Sequence, residues 1–158
     1  MAGREASAED PNAAESPLHF WSLKTLSQKI RSRDVSSVEV TRHMLERIAR
    51  LDGKLKSYQL VTRAEALATA ERCDREIKDG QYRGPLHGVP IGIKDLLYTK
   101  GIATIAGTKA RADFVPEFDE TVVKRLAAAG AVSLGKLVLC EGGWAPYHPD
   151  LPIPVNPW

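Results

Sequence analysis

The run GVPIGIKDLL, residues 88–97, constrains the fold more than any other stretch of the chain. Val89, Pro90, Ile91 and Ile93 are apolar, Leu96 and Leu97 resume the pattern, and the breakers GPLHG and YTKG lie on either side. A short apolar run between breakers reads as a strand buried on both faces, in a sheet covered by helices. Lys94 and Asp95 interrupt that run. A lysine carried into a core loses water and with it affinity for the proton, which makes it a base near neutral pH. A lysine at the exit of a strand instead snorkels to solvent or pairs with Asp95 and does no chemistry. Spacing alone leaves both readings open.

Around the strand the chain alternates helix and strand patterns. Leu23, Leu26 and Ile30 keep helical spacing until SRDVSS interrupts. Ser36 with Glu39 forms a capping box, after which Val38, Thr41, Leu45 and Ile48 line a second helix that ends near Leu51 and Gly53. SYQLV, residues 57–61, is a short strand. Thr62 with Glu65 repeats the capping box ahead of a stripe of Leu67, Ala70, Cys73 and Ile77, closed by Asp79 and Gly80. Asp119 is the expected N-cap of a helix over ETVVKRLAAAG, with Val122 and Leu126 one turn apart and Gly130 just past its end. AVSLG then reads as a strand. Helix and strand joined by short connections give an α/β layer protein. The expected architecture is an N-terminal helical layer on part of a mixed β-sheet with flanking helices, the first central strand carrying Lys94.

Composition narrows the function classes. The 158 residues are 43% hydrophobic and 27% charged, with a net charge of +2 and both signs interspersed. No basic stripe points to nucleic acid and no apolar stretch is long enough to span a bilayer, so neither nucleic acid nor membrane is an expected partner. Cys73 and Cys140 lie far apart with no metal-type spacing and read as reduced thiols of a cytoplasmic protein. The start, residues 1–17, is expected to be a disordered leader, and 18–158 one domain. Five prolines between Pro146 and Pro157 forbid helix in WAPYHPDLPIPVNPW and leave an extended segment laid over something. Trp158, a large apolar residue, calls for further chain to cover it, so the domain is expected to be missing its C-terminal remainder.

Three stretches then carry a resemblance: GPLHGVPIGIKDLLYTKGIATIAGT, DETVVKRLAAAGAVSLGKLVLCE and HPDLPIPVNPW. In order and spacing they resemble the N-terminal part of the amidase signature family of amide-bond hydrolases, from about Leu18 to Trp158. The resemblance implies that Lys94 is the terminal base of a Ser–cisSer–Lys triad. It implies hydrolysis of C–N amide bonds in a small molecule rather than peptide bonds in proteins, with no metal or organic cofactor. Both family serines belong to a Gly/Ser-rich segment of the G-G-S-S-G-G type, which this sequence lacks. Ser133, Thr104 and Thr108 do not stand in such a turn, so the 158-residue chain is expected not to hydrolyse amides alone. After LGK the family commonly has an Asn-containing stretch and Glu-Phe, whereas this chain reads LVLCEGGW, which marks its own pocket lining.

Two other readings stay open. One is the glutaminase subunit of a tRNA-dependent amidotransferase. The other is a noncatalytic truncated fragment or interaction module, whose exposed apolar surface would make it associate with itself or with a missing C-terminal part. A metal set of Cys140, Glu141, His148 and Asp150 has irregular spacing and no regular face, and Cys140 with His148 lacks anything to position a thiol nucleophile. His87 reads as a loop histidine bonded to backbone. GVPIG is no phosphate loop, since Pro90 removes an N–H donor and no G-K-[ST] follows.

Overall fold

A computed structural model describes residues 17–158, so the leader expected over 1–17 lies outside the described residues except for Pro17. Among the described residues four α-helices and three strands follow in the order α1 (Leu23–Ser32), α2 (Ser37–Leu55), β1 (Tyr58–Val61), α3 (Arg63–Lys78), β2 (Pro90–Lys94), α4 (Thr121–Ala128) and β3 (Val132–Leu137). This is the mixed α/β architecture the patterning implies.

The caps show how local sequence sets the helix starts. Ser22 Oγ accepts the Thr25 N–H at 3.1 Å. Before α2 the capping box forms in full: Ser36 Oγ accepts from Glu39 N at 3.0 Å, and Glu39 Oε2 accepts from Ser36 N at 2.8 Å. The α2 helix runs two residues beyond Gly53 because a mid-helix glycine costs only about 1 kcal/mol and the Asp52 carboxylate accepts the Ser57 N–H just past the end, at 2.7 Å. The second expected capping box does not form. The Thr62 hydroxyl makes no cap bond and reaches the Ser133 carbonyl at 3.5 Å, drawn across by β3. The cap of α4 is Glu120 rather than Asp119, whose carboxylate accepts the Lys100 N–H at 2.7 Å, and α4 buries Val123 while Val122 is exposed.

The sheet order is β1-β3-β2, with β3 antiparallel to β1 and parallel to β2. Among the described strands β3, not β2, is central. The strand carrying Lys94 is an edge, which corrects the reading of that run as buried on both faces: of its five residues only Ile93 is buried. Helices α2 and α3 pack over one face of the sheet, burying Leu45, Ala66, Ala70 and Cys73 against Val132 and Leu134 of β3. Full burial of a side chain such as Leu45 stabilises by about 1.5–3 kcal/mol. A second cluster of Ile30, Val40 and Val89 fastens α1 and the approach to β2 onto α2. The C-terminal stretch has no helix or strand beyond residue 143, as its prolines require, and Val155 N donates to Leu55 O at the end of α2.

Candidate active site

Lys94 is the last residue of β2, in register with Leu137 of β3. Alternation along the strand puts Gly92 and Lys94 on one face and Ile93 and Asp95 on the other. A Cβ at Gly92 would lie 2.8 Å from Leu137 Cδ1, so glycine there lets Leu137 lie across the strand just before the lysine. The Lys94 side chain is exposed, and its Nζ donates to Val138 O at 2.8 Å. The expectation that this ammonium is dry is therefore corrected for this chain: β2 is an edge strand, and none of the described residues covers Lys94. Nor does Lys94 pair with Asp95.

The buried lysine is Lys136. It stands opposite Ile93 on β3 and is 1% exposed, as is Asp95, and their charged groups face each other at 3.6 Å (Nζ to Oδ1). Lys136 Nζ donates to Leu97 O at 2.6 Å and contacts the Thr104 and Thr99 hydroxyls at 2.8 and 3.5 Å. Asp95 Oδ2 accepts the Ile105 N–H at 3.1 Å. The main chain of Asp95 donates to Leu137 O and accepts from Ala106 N. Burial pushes the Lys136 ammonium below the usual lysine range, opposed by the Asp95 charge. Burial likewise pushes the Asp95 carboxyl up, opposed by Lys136 and the Ile105 N–H. A lysine with lowered proton affinity touching the Thr104 hydroxyl has the form of a base and nucleophile. Thr104 is 0% exposed, however, so no substrate reaches it. Sequence reading missed Lys136, although SLGKLVL sets a lysine in an apolar run just as GIKDLL does.

The remaining candidates are structural. Cys140 and His148 are half-buried, and Glu141 starts a short 3₁₀ turn (Glu141–Gly143). His148 Nδ1 accepts from Asp150 N at 3.2 Å, and Asp150 pairs with Lys109 at 2.7 Å, so the four residues do not converge on a point. Among the described residues, the potential metal-ligating atoms that do converge, within 4.8 Å, belong to Cys73, Glu76 and His87. His87 Nδ1 accepts the Arg83 N–H at 3.1 Å, which leaves the ring proton on Nε2, facing Glu76 Oε2 at 2.9 Å. Glu76 also pairs with Arg83, and Cys73 Sγ donates to Gly130 O at 3.4 Å. Every donor in this set is committed to a hydrogen bond, so the set closes the turn between α3 and β2 and does not hold a metal. His87 thus has the expected backbone bond and an acidic partner besides. Ser133 lies in β3, and Thr108 caps the 3₁₀ turn Lys109–Arg111 through Ala110 N at 3.3 Å. No helix among the described residues is long and apolar enough to cross a membrane.

Comparison with known proteins identifies the family to which this fold belongs. The family model described as Amidase matches residues 39–158. A putative amidase AmiD of Mycobacterium tuberculosis is 51% identical over 152 residues, covering 96% of this chain and 32% of that protein. A glutamyl-tRNA(Gln) amidotransferase subunit from Cyanothece is 42% identical over 139 residues, covering 87% of this chain and 29% of that protein. Among solved structures, native peptide amidase from Stenotrophomonas maltophilia superposes with a TM-score of 0.75 at 38% identity, covering 79% of this chain and 26% of that one. A bacterial aryl acylamidase of the amidase signature family superposes with a TM-score of 0.71 at 25% identity, covering 77% and 26%. The chain spans about a third of the length of the curated relatives it matches. With three quarters of its length matched by the family model and its fold shared with these enzymes, the chain belongs to the amidase family.

Proposed function

We propose that this chain supplies the lysine end of a Ser–cisSer–Lys amide hydrolase that cleaves the C–N bond of a small carboxamide in the cytoplasm, without metal or organic cofactor. One observation supports Lys94 as the base. Of the two lysines at this end of the sheet, Lys136 has its donors committed inside the protein, whereas Lys94 is exposed and bound to a single carbonyl. Only Lys94 can take a proton from a hydroxyl presented from outside this segment.

In the reaction the neutral Lys94 amine accepts a proton from the bridging serine, which takes one from the nucleophilic serine as its oxygen bonds to the amide carbon. Backbone N–H groups stabilise the oxyanion. The proton then returns along the same chain to the departing amine, and water hydrolyses the acyl-enzyme. Since both serines lie outside this sequence, the 158-residue chain alone is inactive, and its partners are the amide substrate and either the serine-bearing part or a second copy of the chain. The likeness to the amidotransferase protein of Cyanothece favours glutamine as a second substrate reading, in which the released ammonia passes to a partner protein. To test both, this chain is continued with the residues that follow its counterpart in the mycobacterial relative, and ammonia is measured. Release from small carboxamides, with none from the 158 residues alone, is the expected result; release from glutamine only selects the second reading. A continued protein inert on both contradicts the proposal.

A further inference from the structure

Lys94, the last residue of β2, and Asp95, the residue after it, carry opposite charges, and the extended chain can turn only one of them inward. We propose that Lys136 makes that choice: it is a positioning residue whose buried ammonium draws Asp95 inside and so throws Lys94 onto the open face, holding it where a proton acceptor is needed. The idea rests on the assignment of Lys94 as base. Its geometry does not.

The interior position is shaped for a cation as well as for Asp95. Leu97 O and the hydroxyls of Thr99 and Thr104 gather round Lys136 Nζ from the segment that follows β2, so that segment is wound about the ammonium. Asp95 reaches the same place from just past β2, fixes Ile105 N through Oδ2 and Ala106 N through its carbonyl, and leaves Oδ1 facing Lys136 as its only charged neighbour among the described residues. Reversing the dipeptide would put a second ammonium beside Lys136 and expose the carboxylate that holds Ile105. A slip of one residue along a strand exchanges its two faces, and here it would carry Asp95 away and leave the Lys136 ammonium buried without its counter-charge. With the slip forbidden, Lys94 is left on the face of Gly92 and Leu137, bonded to Val138 O.

Lys136→Met removes the cation and vacates its oxygen acceptors, and the Lys94 amine should then turn inward to them. The readout is the rate of reductive methylation at Lys94, located by mass spectrometry, with folding followed by circular dichroism. In folded Lys136→Met, Lys94 should react at least tenfold more slowly than in the parent. The double variant Asp95→Leu/Lys136→Met restores an inward-seeking residue at 95 and should return the rate to within twofold. If Lys136→Met does not fold, rescue of both fold and rate by the double variant supports the proposal. An unchanged rate in folded Lys136→Met overturns it, as does a double variant that fails to fold or to restore the rate. These readings do not depend on hydrolysis: a protein that labels as expected yet has no lysine-dependent amidase activity retires the base and keeps the positioning pair.

Discussion

At the scale of single residues, proton affinity in this chain is decided by who is buried with whom. Lys136 and Asp95 are each desolvated and, among the described residues, each other's only charged partner within 4 Å. Taking one away leaves a lone buried charge, which costs about 3–5 kcal/mol. Asp95→Ala should accordingly lower the free energy of urea-induced unfolding by that order, and also release the Ile105 N–H that the carboxylate accepts. His87 supplies a pH term. It is 1% exposed, and burial pulls its proton affinity below the ordinary histidine value, an effect that the hydrogen bond it donates to Glu76 opposes only in part. With the folded value below the unfolded one, the unfolded chain binds the proton first. Stability is therefore full above about pH 6.5 and falls as the pH drops through the window below it, by up to about 1.4 kcal/mol per pH unit. Urea midpoints at pH 7.5 and 5.5 should differ less in His87→Gln than in the parent. Sequence placed His87 in a loop with a backbone bond, but its acidic partner Glu76 lies back in α3 and no local pattern announces it.

At the scale of elements, caps and close approaches separate what was legible from what was not. Ser36 and Glu39 make their capping box as the sequence dictates, and Ser36→Ala should cost about 1 kcal/mol by urea titration. Thr62 has the same signature, yet the neighbouring strand takes its hydroxyl, so a local rule yields to a tertiary contact. The central strand shows the same limit: AVSLG was readable as strand, but its continuation through Lys136 was not, because burial of that lysine depends on Asp95, Thr99 and Thr104 arriving from elsewhere in the chain. Gly135 explains how that strand lies so close to β1. Its φ is +142°, and a Cβ there would sit 2.1 Å from Leu60 O, a backbone atom that cannot swing aside. Gly135→Ala should therefore destabilise more than Ser36→Ala, and hydrogen exchange should show the loss concentrated in the β1–β3 ladder.

For the molecule as a whole, the sheet is covered on the helical side and open around the site. Trp144 is 90% exposed, Leu96 is 43% exposed and Trp158 is wholly exposed. Apolar surface of this kind promotes association, so sedimentation velocity should show a weight-average mass that rises with concentration, while Trp144→Ser/Trp158→Ser should stay closer to monomer. The fold class and the position of Lys94 at the end of an apolar strand were legible because periodicity and breakers encode them locally. The exposure of Lys94 was not, since it follows from β2 lying at an edge of the sheet, and strand order is not written in the residues of the run. The most direct measurement of the central claim is hydrolysis of a small carboxamide by this chain continued to the length of its relatives, compared with its Lys94→Ala and Lys94→Arg variants. Both substitutions should reduce kcat by about 10³-fold, Arg as much as Ala, because a guanidinium does not become neutral to accept a proton. Activity of either variant within tenfold of the parent would contradict Lys94 as the base.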